Sequence, residues 1–269
     1  MTSPAHRKDR EHRDVNVDNV WDVEPQLANC RDYWLGWGAS ERADGEVTYY
    51  RSGLADAQLN GVLRLRAGDR PEQAIGRAAG RMAGVPWLWW VGPDSAPDTA
   101  ARLAGHGAVG RGAMPVMAVR IDEVACAEGP ADLKIEAVEG SDALREWVQA
   151  YMLSFGVAPE LLDDVVRAET RRPDSASIVR LAGRRDGRVV GTSLMFDAHG
   201  VAGVYVVTTS ADQRRQGIGT ALTAAALEAG RARGLSVGTL QASASGTPVY
   251  LRMGFEQVAE YGLFEVPAP

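Results

Sequence analysis

The chain has 269 residues, 45% of them apolar and 24% charged, with a formal net charge of −6 and a pI of about 5.3. This balance fits a globular protein of one large domain or two ordinary ones, and it lacks the basic excess of a dedicated nucleic-acid binder. No stretch approaches the run of about eighteen apolar residues that a membrane-spanning helix requires.

The opening, MTSPAHRKDREHRDVNV, has no apolar core of a secretory signal. Residues 1–16 are expected to form a disordered tail. A helix is predicted around residues 18–36. GEVTYYRS and LNGVLRLR then read as a hairpin-like pair of strands. RPEQAIGRAAGRMAG reads as a helix with Pro71 near its first position and Gly84 at its end. VPWLWWVG is a short buried strand, APDTAARLAGHG a helix and MPVMAVRI another strand. Trp87, Trp89 and Trp90 are expected to pack in the core rather than wall a substrate site.

EVACAEGPADLK, with small, acidic, Pro and Gly residues and no periodicity, reads as a linker. It divides the chain into a first unit over 17–122, a linker over 123–132 and a second unit over 133–269. The second unit opens with an amphipathic helix, SDALREWVQAYMLSFG, for which Ser141 is the expected cap. PELLDDVVRAETR follows as a second helix. Three strands come next, with turns at Asp186-Gly187 and His199-Gly200. A helix to about Gly230, a strand at VGTLQAS, a short helix and a final pair of strands complete the chain. RLAGHGAVGRGAMPVMAVRI and YLRMGFEQVAEYGLFEV share one order of helix end, Gly, turn and strand, which hints at an internal duplication. Both units therefore point to an α/β (α+β) fold with mixed sheets.

Cys30 and Cys126 lie far apart with no paired spacing, and His6, His12, His106 and His199 form no metal-ligand pattern. Zinc and a disulfide framework are not expected, and a cytoplasmic setting is the default.

The chemistry concentrates in VYVVTTSADQRRQGIGTALTAAALEAG, residues 204–230. A strand that turns into a helix presents free backbone N–H groups and the positive end of the helix dipole, which together suit an anion. Gly217 and Gly219 allow close backbone approach, and Arg214 and Arg215 add positive charge. The GxxxxGK[ST] phosphate loop is absent, and Leu222 stands where a dinucleotide fingerprint would place its third glycine. What remains is R-x-x-G-x-G: Arg214, Gly217 and Gly219.

This stretch resembles the acyl-coenzyme A binding motif of the GNAT superfamily of N-acetyltransferases. The resemblance implies that Val207 and Thr209 on the strand bond to pantetheine through their backbone. It also implies that Gln213, Arg214, Arg215, Gln216, Gly217, Ile218, Gly219 and Thr220 cradle the pyrophosphate. Ala211 stands where many members carry proline. A second element, SASGTPVYLRMGF, resembles the family's later motif, in which a tyrosine precedes a Gly-Phe pair, here Gly254-Phe255. Tyr250 is then the general acid toward the departing thiolate. A phenol, with a pKa of about 10, protonates a thiolate of similar basicity with little penalty. Ser243 holds the position of an asparagine found in many relatives. Thr247 and Pro248 are read as the cap and first residue of the helix that carries Tyr250.

The resemblance covers roughly residues 133–266 and implies two GNAT-like domains, each a mixed, mostly antiparallel sheet flanked by helices. The first is degenerate, because it has no R-x-x-G-x-G after any strand. It is expected to pack on the second and help wall the acceptor pocket. The implied activity is transfer of an acetyl group from acetyl-CoA to a primary amine of a small molecule, by direct attack in a ternary complex. A protein or peptide acetyltransferase and a non-catalytic acyl-coenzyme A sensor are the alternatives. Asp197, His199, Glu160, Asp163 and Asp164 are candidate bases, and Tyr205 could line the acceptor side. No nucleic acid or membrane partner is expected, and the assembly is read as a monomer or homodimer.

Overall fold

The structure is a computed structural model that describes residues 17–38, 41–66, 68–125 and 129–267. The expected tail over residues 1–16 lies outside the described residues, as does Cys126 of the linker. In chain order the first half contains α1 (Val23–Leu35), β1 (Arg42–Asp44), β2 (Val47–Arg51), β3 (Asn60–Leu65), α2 (Pro71–Arg81), β4 (Leu88–Val91), α3 (Thr99–Gly105) and β5 (Val109–Arg120). The second contains β6 (Lys134–Ala137), α4 (Gly140–Phe155), α5 (Leu162–Thr170), β7 (Ile178–Arg185), β8 (Arg188–Ala198), β9 (Val201–Thr209), α6 (Ile218–Arg231), β10 (Val237–Gln241), α7 (Thr247–Arg252) and β11 (Glu256–Glu265).

The two expected sheets run together into one of 11 strands, in the order β1-β2-β3-β4-β11-β5-β10-β9-β8-β7-β6. Each half gives its last strand to the other. β5 pairs antiparallel with β10 from Val237↔Arg120 to Gln241↔Val116. β11 pairs antiparallel with β4 through Gly262↔Val91, Leu263↔Trp90 and Phe264↔Trp89. The exchanged strands also pair with each other, from Glu256↔Ala118 to Glu265↔Val109.

The residues of β5 explain its place. Val116, Met117, Ala118 and Val119 are all buried, so both faces of this segment need cover. The strand starts earlier than its apolar pattern, because pairing with β11 recruits the polar and glycine-rich residues from Val109 to Ala113. The final pair of strands expected from the sequence is a single strand, β11. Tyr261-Gly262 resembles a turn, yet Gly262 is paired on both sides, with Val91 and with Ala113.

α1, α4 and α5 cover one face of the sheet around Tyr33, Trp147, Tyr151, Val165 and Tyr205. α6 and α7 cover the other face of the second half, with Ala226, Leu227 and Met253 against Met117 and Leu240. α2 and Leu103 of α3 cover that of the first half, with Trp87 and Trp89 in their core. The turns at Asp186-Gly187 and His199-Gly200 form where expected, both residues of each having positive φ.

Two caps differ from expectation. α4 begins at Gly140, with no side-chain cap, and Ser141 lies inside its first turn. Thr247 is the first residue of α7 rather than its cap, and its hydroxyl donates to the carbonyl of Ser243 at 3.0 Å. Among the described residues no helix is long and apolar enough to cross a membrane.

The exchange predicts mutual dependence. If the chain is cut after Ala125, neither fragment is expected to melt cooperatively alone, and mixing should restore a single cooperative transition by circular dichroism. A fragment that melts cooperatively by itself would contradict the reciprocal pairing.

Candidate active site

β9 and β10 are parallel neighbours only through Gly238↔Ala202 and Thr239↔Gly203. Beyond these pairs the two strands part and leave a fork. The departure coincides with a bulge in β9: Leu194 faces Tyr205 and Thr192 faces Thr208, with Val206 and Val207 looped between. Val206 has φ +53°, a conformation that strains a β-branched residue. The bulge is pinned by Thr192, whose hydroxyl donates to the Val206 carbonyl at 2.7 Å and lies 2.7 Å from the Thr208 hydroxyl. Past the fork, Val207 and Thr209 therefore lie on a strand edge that β10 does not pair. An extended ligand can add its own hydrogen bonds to such an edge.

The loop after β9 has a backbone geometry that suits an anion. Arg215 has φ +63° and Gly217 φ +81°, so successive backbone N–H groups turn inward as a nest. The Gly217 conformation is the one that calls for glycine. α6 starts at Ile218, and its first backbone bond is from Ala221 N–H to the Gly217 carbonyl at 2.9 Å. The N–H groups of Ile218, Gly219 and Thr220 remain at the positive end of the helix. Ile218 serves only through its backbone, since its side chain is buried with Val190 and Leu222. Arg214 and Arg215 are exposed and form no ion pair among the described residues.

Gln213 and Gln216 have a different task in this structure. Their side-chain oxygens accept hydrogen bonds from Arg185 at 2.7 and 2.6 Å, and Arg185 is itself held by Asp132 at 2.7 Å. They fasten the loop to the end of β7. Arg185 was not legible as a site residue, because its partners lie far along the chain.

Tyr250 stands at the other arm of the fork, on α7 just after β10. Its ring packs against Phe255 at 5.6 Å, and Thr223 of α6 stands beside its hydroxyl. Burial pushes its pKa up to about 12, while the contact with Thr223 pulls the other way. The phenol is neutral at physiological pH and holds a proton to give. Ser243 is exposed and organises the start of α7: its hydroxyl accepts from Gly246 N–H at 3.2 Å and its carbonyl from Thr247 N–H at 2.9 Å.

The structure does not bring Asp197 and His199 to the fork. They lie toward the opposite end of β9, where Asp197 faces Ala202 and Ala198 faces Val201, about 13–17 Å from Val206 at the rise of a strand. There His199 pairs with Asp32 at 2.8 Å and Asp197 with Arg233 at 3.3 Å, along a groove of about 1320 Å³. Asp163 and Asp164 are engaged in exposed ion pairs with Arg145 and Arg167, and Glu160 lies exposed on the turn Pro159–Leu161. Tyr205 is buried. Its hydroxyl donates to Asn29 of α1 at 2.7 Å and its ring stacks on Tyr33 at 3.7 Å. Asn29 and Gln26 escaped the sequence reading. The available signal was two amides spaced i, i+3 on the stripe that also holds Cys30 and Tyr33.

The first half has a fork too, and it is sealed. β3 and β4 pair only at Gly61↔Leu88 and Val62↔Trp89. The freed edge of β3 is then taken by the chain's own loop, with Ala96 N–H donating to the Leu65 carbonyl at 2.7 Å. Asp94 in that loop pairs with Arg31 and, at 3.9 Å, with Arg64. Pro71 at the start of α2 removes one donor where α6 offers several.

Residues 142–255, which hold the fork, the kinked strand edge and the loop at the start of α6, match the model of the acetyltransferase (GNAT) family. That segment is less than half of the chain. A curated relative, the mycothiol acetyltransferase of Clavibacter michiganensis subsp. michiganensis, is 32% identical over 140 residues, 48% of this chain. That match spans 44% of the relative, less than half its length. The fold is shared with a GCN5-related N-acetyltransferase from Kribbella flavida, at TM-score 0.68 and 21% identity, over 91% of this chain and 96% of that one. It is also shared with a tandem GNAT protein from the clavulanic acid biosynthesis pathway, at TM-score 0.58 and 12% identity, over 94% and 98%.

The buried phenols set an alkaline limit. Tyr33, Tyr50, Tyr151, Tyr205, Tyr250 and Tyr261 all have raised pKa values, chiefly from burial. A raised folded pKa contributes stability that is complete below the unfolded value and is lost as pH rises through the folded one. For Tyr250 that window runs from 10.0 to about 12. Phenolate absorbance is expected to rise together with loss of helical circular dichroism above the lower limit. Phenolate formation in a protein that stays folded would contradict the burial.

Proposed function

We propose that the chain is an acetyltransferase that moves the acetyl group of acetyl-CoA to a primary amine of a small molecule within a ternary complex. The observation that carries this reading is the open fork of the second half, continuous with the nest at the start of α6. Pantetheine is assigned to the free edge at Val207 and Thr209, where its amides replace the missing β10 partner. The pyrophosphate is assigned to the N–H groups from Gln216 to Thr220, with Arg214 and Arg215 supplying positive charge.

In the reaction the neutral amine attacks the thioester carbonyl carbon. The carbon–sulfur bond breaks, the thiolate takes the Tyr250 proton, and the proton shed by the attacking nitrogen passes to solvent, which returns one to the phenolate. Burial keeps the Tyr250 phenol protonated at physiological pH, so the proton is in place when the thiolate leaves. The net negative charge supports a cationic acceptor, and the relative named mycothiol acetyltransferase supports acetyl transfer. Action in the cytoplasm is part of the same proposal.

Calorimetric titration with acetyl-CoA is expected to give one site per chain, in the second half. Gly217→Glu should abolish it, because a carboxylate then fills the nest. Retained affinity would remove the coenzyme assignment. Tyr250→Phe is expected to lower turnover roughly a hundredfold while leaving acetyl-CoA affinity within about twofold. Equal turnover in the variant would refute the general-acid role, and an acetylated enzyme isolated without acceptor would refute direct transfer. Stoichiometric binding with no turnover across an amine panel would favour a coenzyme sensor.

A further inference from the structure

α1 belongs to the first half, yet two of its buried amides stand at the vertex of the second half's fork. Gln26 accepts from the hydroxyl of Thr239 on β10 at 3.2 Å. One helical turn on, Asn29 accepts from the hydroxyl of Tyr205 on β9 at 2.7 Å. Thr239 and Gly203 form the last pair before the strands part. Gly203 makes the approach possible, because a Cβ there would collide with the Asn29 carboxamide oxygen. The Asn29 amide nitrogen also donates to the carbonyls of Phe196, Ala198 and Val201, at 3.2, 3.0 and 3.2 Å. Tyr33, on the same stripe, stacks on the Tyr205 ring with the planes 5° apart.

These contacts bear on the strained residue next to them. Val206 keeps positive φ only if both flanks are held. Thr192 holds it from the β8 side and reaches Thr208 beyond it. On the near side Tyr205 is held by α1. The helix is in turn tied to the first half through Arg31 and Asp94. The first half thus reaches the kink through α1.

We infer that Asn29, acting through the Tyr205 hydroxyl, is a positioning residue that holds the β9 kink, so that the first half sets the shape of the second half's coenzyme cleft. The claim concerning the cleft rests on the coenzyme reading above; the claim concerning the kink does not. The arrangement separates two parts of the ligand. The kinked edge meets the acetyl-pantetheine portion, and the nest meets the phosphates.

The test uses the full chain, with Tyr205→Phe, Asn29→Ala and the double variant. Affinity is measured for acetyl-CoA and for 3′,5′-ADP, which lacks the pantetheine arm. Tyr205→Phe keeps the stacked ring and guards against a variant that fails to fold. Loss of one buried hydrogen bond is expected to weaken acetyl-CoA roughly tenfold and to leave 3′,5′-ADP within about twofold. Because the bond to Tyr205 is already absent once Asn29 is alanine, adding Tyr205→Phe to Asn29→Ala should cost no further acetyl-CoA affinity. Equal weakening of both ligands, or additive losses, would overturn the inference in favour of general destabilisation. Amide hydrogen exchange supplies a readout without ligand: in Tyr205→Phe, residues 204–209 should exchange faster while α6 is unchanged. If the unaltered chain binds neither ligand, the coenzyme reading fails, and exchange alone then decides the kink. Unchanged exchange across 204–209 would refute it.

Discussion

The arrangement depends on one constraint: β10 is bonded along its whole length to a strand from the other half. It pairs with β5 at five positions, from Val237 to Gln241, and with β9 at two. Its direction therefore follows β5, while that of β9 follows β8 until Thr192 pins the kink at Val206. The fork opens where these two allegiances diverge. A cleft that looks like the property of one GNAT unit is thus shaped from both sides by the first half, through β5 along one arm and through α1 at the vertex.

The same scaffold occurs twice with opposite outcomes. Both halves have a two-pair parallel contact followed by a helix, and in both the strand before the helix carries a register shift, at Leu63 in β3 and at Val206 in β9. In the first half the segment after β4 folds back on Leu65 and satisfies its carbonyl, so that acceptor is taken by the chain itself. In the second half the chain after β10 turns away into α7, and Ala242 N–H bonds to Pro115 of β5 instead. The difference between an open fork and a sealed one thus lies in where a short connection finds its partner.

Much of this was legible in the residues. The turns Asp186-Gly187 and His199-Gly200, the β-branched run before Gly217, and the Gly-Phe pair after Tyr250 each carry their geometry locally. Strand exchange was not legible, because the pattern of MPVMAVRI states that both faces are buried and not against which strand. The kink at Val206 was hidden for the opposite reason: VYVVTT has the composition of a regular strand, and the distortion is imposed by Thr192 and by α1. The candidate bases Asp197 and His199 were drawn from closeness in sequence to β9, which does not distinguish the two ends of a strand. Gln213 and Gln216 lie in the loop after β9, and their bonds to Arg185 depend on a strand whose position only the sheet order sets.

The late arrival of β10 and β11 has a consequence for biosynthesis. On a ribosome the first half emerges first, and β5 then has neither strand neighbour, because both come from residues after 236. Val116 to Val119, apolar on both faces, must wait through more than a hundred further residues of synthesis. An unpaired strand of that kind is a template for association with other nascent chains. The yield of folded protein in a cell should therefore be governed by elongation rate and chaperone supply during this interval more than by the stability of the finished sheet.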